Sequence, residues 1–285
     1  MKKRPVTRVK QKLERSVEGR TLNIGDLLEV LCAVHLSSYV EGPYVDRGGL
    51  MLVGAPGTLR STFLALLDRN YNDAVSMSDI NARSLADLRE QIAAKTIRTI
   101  VLPEYAKLWE RHPYTAKNVE GTLRALVGEG FTSPSFEDAR INRLRARCTL
   151  LSAMTPTFQT LHFREWEDSG FNRRFLWSLL RLKDPLLLDR AVEEWQLIDF
   201  RLAHIPPAPP DSIPNMTTQE ERQEMRRLVK NQPGGSHVIQ TTLLIKVLAV
   251  LKWWYKALKR PERDALATVR AFSATLGKEG GELII

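Results

Sequence analysis

LMLVGAPGTLRSTFLALL, residues 50–67, is the stretch on which the reading of this chain turns. An apolar run leads into Gly54, a turn rich in glycine and proline follows, and from Arg60 the apolar residues recur at helical spacing. A strand, a tight turn and a helix in that order bring backbone N–H groups and a helix N-terminus to one point, which suits an anion such as phosphate. The phosphate-loop pattern G-x-x-x-x-G-K-[ST] is filled by Gly54, Ala55, Pro56, Gly57, Thr58, Leu59, Arg60 and Ser61. Gly54, Gly57, Thr58, Ser61 and Thr62 retain its backbone and hydroxyl parts. Leu59 stands in the place of a glycine and Arg60 in the place of the lysine. Arginine keeps the charge, but a planar guanidinium does not fill the small volume of an ammonium.

Outward from this stretch, strand and helix patterns alternate. Residues 24–41 read as an amphipathic helix, 48–54 as a buried strand and 60–70 as a helix. A short strand is expected within 73–80, a helix over 84–95 with Ser84 as its N-cap, and an apolar strand within 96–105. Residues 115–131 read as a helix ending in glycines, 139–156 as one or two strands, and 157–168 and 170–182 as helical or mixed. Such alternation predicts an α/β core layered on a parallel sheet. Five prolines fall within 206–214, so 201–216 reads as a linker or a surface crossing. After it only helices are expected, over 217–230, 237–258 and 261–276. The chain therefore divides into a basic arm (1–22), a core (23–200), the linker, and a helical C-terminal domain (217–285).

The 285 residues are 43% hydrophobic and carry a net charge of +9 with a pI near 9.7. That surplus favours an anionic partner, with a solvated basic surface as the plain alternative. Two cysteines, Cys32 and Cys148, lie in apolar contexts and suit a reduced, cytoplasmic protein without a disulfide framework or zinc site. The basic start has no apolar stretch after it and does not read as a secretory signal. The most apolar segment is interrupted by Lys246, Lys252 and Lys256, so no membrane span is expected.

Three further segments bear on the loop. TIRTIVLPEYAKLWE (96–110) is an apolar strand followed by Glu104, the place of a water-orienting glutamate; Pro103 holds the place of the metal-binding acid. RCTLLSAMTP (147–156) is a third apolar strand carrying Ser152 and Thr155. A polar residue at its end would lie between the ends of the other two strands and touch a terminal phosphate. SGFNRRFLW (169–177) puts Arg173 and Arg174 at a turn, from which an arginine could reach a phosphate of its own subunit or a neighbour's.

In this order and spacing the chain resembles AAA+-type P-loop ATPases, and more narrowly the ATPase-like proteins of phages and mobile elements. The match is carried by Glu104-Tyr105-Ala106-Lys107-Leu108, Leu123-Arg124 through Gly128 and Gly130, Thr155-Pro156, Gly170, and Arg174-Phe175-Leu176, over residues 45–182. The resemblance implies a P-loop NTPase-like three-layer core that binds ATP and Mg2+. Gly54, Gly57, Thr58, Arg60, Ser61, Thr62 and Thr155 would hold the nucleotide, with Ser61 on the metal. Glu104 would orient water and Arg174 would stabilise charge. It also implies a homo-oligomer acting on DNA in replication or transposition. Leu59, Arg60 and Pro103 depart from the pattern and point to weak hydrolysis, or to a non-catalytic scaffold that binds DNA or a partner.

Arg143, Arg145 and Arg147 alternate with Leu144, Ala146 and Cys148, which on a strand puts three guanidinium groups on one face. Helicase-like relatives of this resemblance project a hairpin toward DNA just before the third strand, and such a row would contact phosphates without reading sequence. Residues 217–270 add eleven basic and five acidic side chains. The five histidines show no ligand spacing, and no Ser-His-Asp or Cys-His grouping follows from spacing.

Overall fold

The computed structural model describes residues 21–40, 47–56, 58, 60–78, 80–110, 113–128, 147–182, 208–209, 212–230, 238–276 and 281–284. Seven strands form one parallel sheet: β1 (Thr21–Asn23), β2 (Gly49–Gly54), β3 (Ala74–Ser76), β4 (Thr99–Leu102), β5 (Thr149–Met154), β6 (Phe175–Leu182) and β7 (Gly281–Ile284). Their order across the sheet is β1-β7-β6-β2-β5-β4-β3. The helices are α1 (Ile24–Leu36), α2 (Arg60–Asn70), α3 (Ala82–Ala93), α4 (Pro113–Val127), α5 (Pro156–Asp168), α6 (Gln219–Val229), α7 (Val238–Ala257) and α8 (Glu262–Ser273).

The central strands β2 and β5 are buried along all six of their residues. Alternate side chains leave opposite faces of a strand, so each such strand feeds two cores. Leu50 and Leu52 of β2, Leu151 and Ala153 of β5, and Leu176 and Leu180 of β6 pack with α1, α2, α7 and α8. Met51, Val53, Leu150, Met154, Phe175 and Trp177 pack with α3, α4 and α5. The protein is thus an α/β molecule with helices on both faces of a parallel sheet. Gly49 is closely packed: a Cβ there would stand 2.5 Å from the Phe175 ring and 2.6 Å from the Leu150 carbonyl oxygen.

Several expectations are corrected. Ser84 is not the N-cap of α3. Asn81 is: its side chain accepts from the Ser84 N–H and the Ser84 hydroxyl accepts from the Asn81 N–H, both at 2.9 Å. Residues 170–182, read as helical or mixed, hold a short 3-10 turn (Asn172–Arg174) and then the strand β6. The C-terminal segment is not helices alone, because β7 pairs in parallel with β6 and β1. Nor do its helices stand apart. Met225 of α6, Leu244 of α7 and Val269 of α8 are fully buried in the same cluster as Leu31 of α1 and Leu50 of β2. The proline-rich segment also meets the body, where Ile213 is fully buried and its N–H donates to the Tyr39 carbonyl.

Helix α7 is the one described helix long and apolar enough to cross a membrane, and 83% of its most apolar window is buried inside the protein. Its apolar surface therefore faces the core. Lys252 is drawn in with it, and its Nζ lies 3.1 Å from both Glu221 Oε1 and the Met216 carbonyl.

Candidate functional site

The chain leaves the end of β2 toward α2 on one face of the sheet, and the end of its neighbour β5 toward α5 on the other. Adjacent strands whose connections diverge in this way leave a crevice beyond their C-terminal ends, the usual place for a ligand in an open α/β sheet. The loop after Gly54 lies at that crevice. Strand β5 pairs with both β2 and β4, so its end lies between theirs, as expected from sequence.

Within the loop, Thr58 turns inward. Its N–H and its hydroxyl both donate to the Ala55 carbonyl, at 3.3 and 2.8 Å. Ala55 and Pro56 are exposed. Gly54 is closely approached, for a Cβ there would lie 2.8 Å from Thr58 Oγ1 and 3.0 Å from the Leu180 carbonyl oxygen. Helix α2 begins at Arg60 with no acidic residue in its first turn, so its N–H groups and dipole present net positive character. Ser61 is exposed at this start. Gly57 and Leu59 lie outside the described residues, as does the Thr62 side chain.

Arg60 crosses the crevice. Its Nη1 donates to the Met154 carbonyl at the end of β5, and its Cδ packs by Gly54. Burial pushes its pKa below the ordinary value, while the Glu104 carboxylate acts in the opposite direction. Glu104 is thus close enough to Arg60 for their charges to interact. It is exposed, with Lys107 Nζ 3.4 Å from Oε2. Thr155 follows Met154 directly and caps α5, its Oγ1 accepting from the Phe158 N–H at 3.3 Å. The fold therefore brings Gly54, Thr58, Arg60, Ser61, Glu104 and Thr155 to one end of the sheet. Ser152 is fully buried and donates to the Leu102 carbonyl at 2.7 Å, fastening β5 to β4 rather than facing the crevice.

Arg174 is not brought to this group. It precedes β6, whose Phe175 is level with Gly49, while Leu180 is level with Gly54. Arg174 is six positions along the chain from Leu180, which puts it about 20 Å from the level of the loop. There its Nη1 donates to the Gly170 carbonyl at 2.7 Å, and Gly128 leaves room for its Nε. Arg143 and Arg145 lie outside the described residues. Arg147 is placed just before β5, at the end of the sheet away from the loop.

The donor set suits phosphate better than a protein-held metal. Among the described residues no group of three His, Cys, Asp or Glu side chains could hold an ion. Ser61 and Glu104 supply one hydroxyl and one carboxylate, and Pro103 supplies no side-chain oxygen. Among the described residues the site thus assembles no cage of protein ligands for Mg2+.

Sequence reasoning missed two features. The first is Met154, because a backbone partner leaves no mark in residue type. The second is a network at the opposite end of the sheet. His35 Nδ1 lies 2.9 Å from Thr99 Oγ1 and its Nε2 3.3 Å from Asp73 Oδ1, while Tyr39 donates to Asp73 Oδ2 at 2.7 Å. Burial would raise the Asp73 carboxyl, but hydrogen bonds from His35 and Tyr39 bring it below the ordinary value. This carboxylate–imidazole–hydroxyl chain has the order of a nucleophilic triad, yet His35 and Thr99 are both 0% exposed. It ties α1, the turn before β3 and the start of β4 together. Comparison with family models and with curated proteins gave no match.

Proposed function

We propose that this chain is a nucleotide-binding protein of AAA+-like P-loop type that assembles with copies of itself and acts on DNA. Its setting would be a phage or mobile-element replication or transposition system. The observation that carries the reading is the convergence of the turn after β2, Glu104 after β4 and Thr155 after β5 at the point where the connections of β2 and β5 diverge. In this reading the first turn of α2 and the Arg60 guanidinium hold the phosphates of ATP, and Thr155 contacts the terminal one. Glu104 orients a water for attack on that phosphorus and draws its proton. In this reading Mg2+ would come bound to the nucleotide, with the Ser61 hydroxyl toward it. Arg174 lies too far away to serve its own subunit and would act on a neighbour's, which is why the reading includes self-assembly. ATP binding and turnover by the wild type beside Glu104→Gln test it. The expected result is slow turnover that the substitution abolishes while binding persists. Absence of both ATP affinity and turnover would refute the enzymatic reading.

One observation favours a second reading, a nucleotide-free scaffold that binds DNA or a partner. The Arg60 guanidinium is hydrogen-bonded to a strand carbonyl, and the Thr58 N–H is turned into the loop. This reading expects DNA binding that neither ATP nor Arg60→Ala alters.

A further inference from the structure

Glu120 sits where the core on one face of the sheet meets the crevice. It lies on α4, only 7% exposed, and donors from two other elements converge on one of its oxygens. Trp166 Nε1 of α5 donates to Oε2 at 2.8 Å, and the hydroxyl of Tyr105, in the turn after β4, donates to the same atom at 3.5 Å. Both donor residues are fully buried. Their rings meet edge to face with centroids 5.8 Å apart, and the Phe158 ring completes the group at 6.5 Å from Tyr105 and 5.9 Å from Trp166.

Two of these aromatic residues are tied directly to the crevice. Tyr105 follows Glu104 in the chain and opens the 3-10 turn Tyr105–Trp109. The Phe158 N–H is the donor that the Thr155 hydroxyl accepts in capping α5. The Glu104 side chain is exposed, and its ion pair with Lys107, at 3.4 Å, lies within its own turn. The placing of Glu104 relative to Thr155 therefore runs through Tyr105 and Phe158, and Glu120 is the polar group that joins the turn to α5.

Burial is the largest influence on the Glu120 carboxyl, and with Glu165 of α5 it outweighs Trp166, Arg124 and Tyr105, raising the pKa from 4.5 to about 7. Lys117, also on α4, is held by Glu165 at 2.7 Å, and His162 of α5 lies 3.8 Å from the same carboxylate. Burial and Glu120 hold the Tyr105 hydroxyl well above its ordinary value, so it stays a donor. A protonated carboxyl is satisfied in this setting. An ionised one among aromatic rings favours water, and parting Tyr105 from Trp166 admits it.

We propose that Glu120 is a positioning residue for the crevice: protonated, it clasps the turn that carries Glu104 to the helix that Thr155 caps, and ionised, it lets them part. The inference rests on the nucleotide half of the function proposed above, to which it adds a control by pH.

The test is an amide NMR titration of the isotope-labelled full chain, without ATP, between about pH 5.5 and 8. The Trp166 indole N–H and the backbone N–H groups of Glu104, Tyr105 and Phe158 should shift together with a midpoint near 7 in the wild type, and should not do so in Glu120→Gln. His162 titrates in both proteins and cancels in the comparison. Trp166→Phe removes a hydrogen bond that lowers the Glu120 pKa, so it should move the Glu104 midpoint upward, and it carries the test if Glu120→Gln does not fold. ATP affinity of the wild type relative to Glu120→Gln should fall over the same range, by at most about 30-fold, the ceiling that linkage sets for a shift from 4.5 to about 7. The titration of ATP itself cancels in that ratio. A Trp166 indole that titrates while Glu104 and Phe158 do not overturns the inference. So does the absence of any titration near 7, or an affinity ratio that is flat with pH. A wild type without affinity for ATP refutes the nucleotide reading instead, and the amide titration alone then decides whether Glu120 joins the turn to α5.

Discussion

Glu120 offers a quantitative test of how the second core is built. It lies on α4, only 7% exposed, with Trp166 Nε1 donating to its Oε2 at 2.8 Å and the Tyr105 hydroxyl 3.5 Å from the same oxygen. Burial is the largest influence, and with Glu165 it outweighs Trp166, Arg124 and Tyr105, pushing the carboxyl from 4.5 up to about 7. At about 1.4 kcal/mol per unit, the shift corresponds to about 3 kcal/mol. A carboxyl raised in the folded state binds its proton more tightly folded than unfolded. Its contribution to stability is fully present below about 4.5 and is lost as pH rises through about 7. Glu120→Gln keeps an oxygen acceptor for Trp166 and removes the charge. Urea unfolding should give similar stabilities for the two proteins near pH 5. Near pH 8.5 the variant should be the more stable by about 1–3 kcal/mol. Other titrating groups cancel in the difference. Parallel pH profiles, or a variant weaker at every pH, would refute the reasoning.

Glycines separate close packing from open space. Gly121 on α4 has nothing within 4 Å of a Cβ, so Gly121→Ala should raise stability by about 0.5–1 kcal/mol. Gly49→Ala forces a methyl against the Phe175 ring and a backbone oxygen and should cost about 1–3 kcal/mol or more in the same denaturation assay. Glu221 both completes the capping box of α6 and pairs with the buried Lys252. Glu221→Ala should therefore cost about 3 kcal/mol, whereas Lys252→Met, which keeps the cap and leaves only the 18%-exposed Glu221 carboxylate without its cation, should cost less. Thermal melts of the two variants check that ordering.

The strands β2, β4 and β5 were legible because continuous apolar runs bounded by turns have few other uses in a chain of this composition. The position of β5 between β2 and β4 was expected from the P-loop-like arrangement of the three segments, not from their residues alone. The C-terminal strand β7 was missed because Gly281-Glu282-Leu283-Ile284 is too short to show a period, and only pairing with β6 and β1 makes it a strand. Asn81 was missed as a cap because Ser84, itself a good cap residue, sits in the reciprocal place of the same box. The separate C-terminal domain was inferred from a run of prolines. Prolines bar regular structure locally but do not prevent Ile213 from reaching the core or α7 from packing on α1. At the loop, residue types gave the expectation of a place for an anion. They did not reveal that Arg60 reaches across to Met154, since any residue at that strand position offers the same carbonyl.

The loop itself is tested most directly by hydrogen–deuterium exchange of the full chain with and without ATP. Slower exchange in peptides covering residues 54–62 and 155–158, with no change across 238–257, is the expected result. Unaltered exchange at the loop under millimolar ATP, or protection confined to some other part of the molecule, would contradict it.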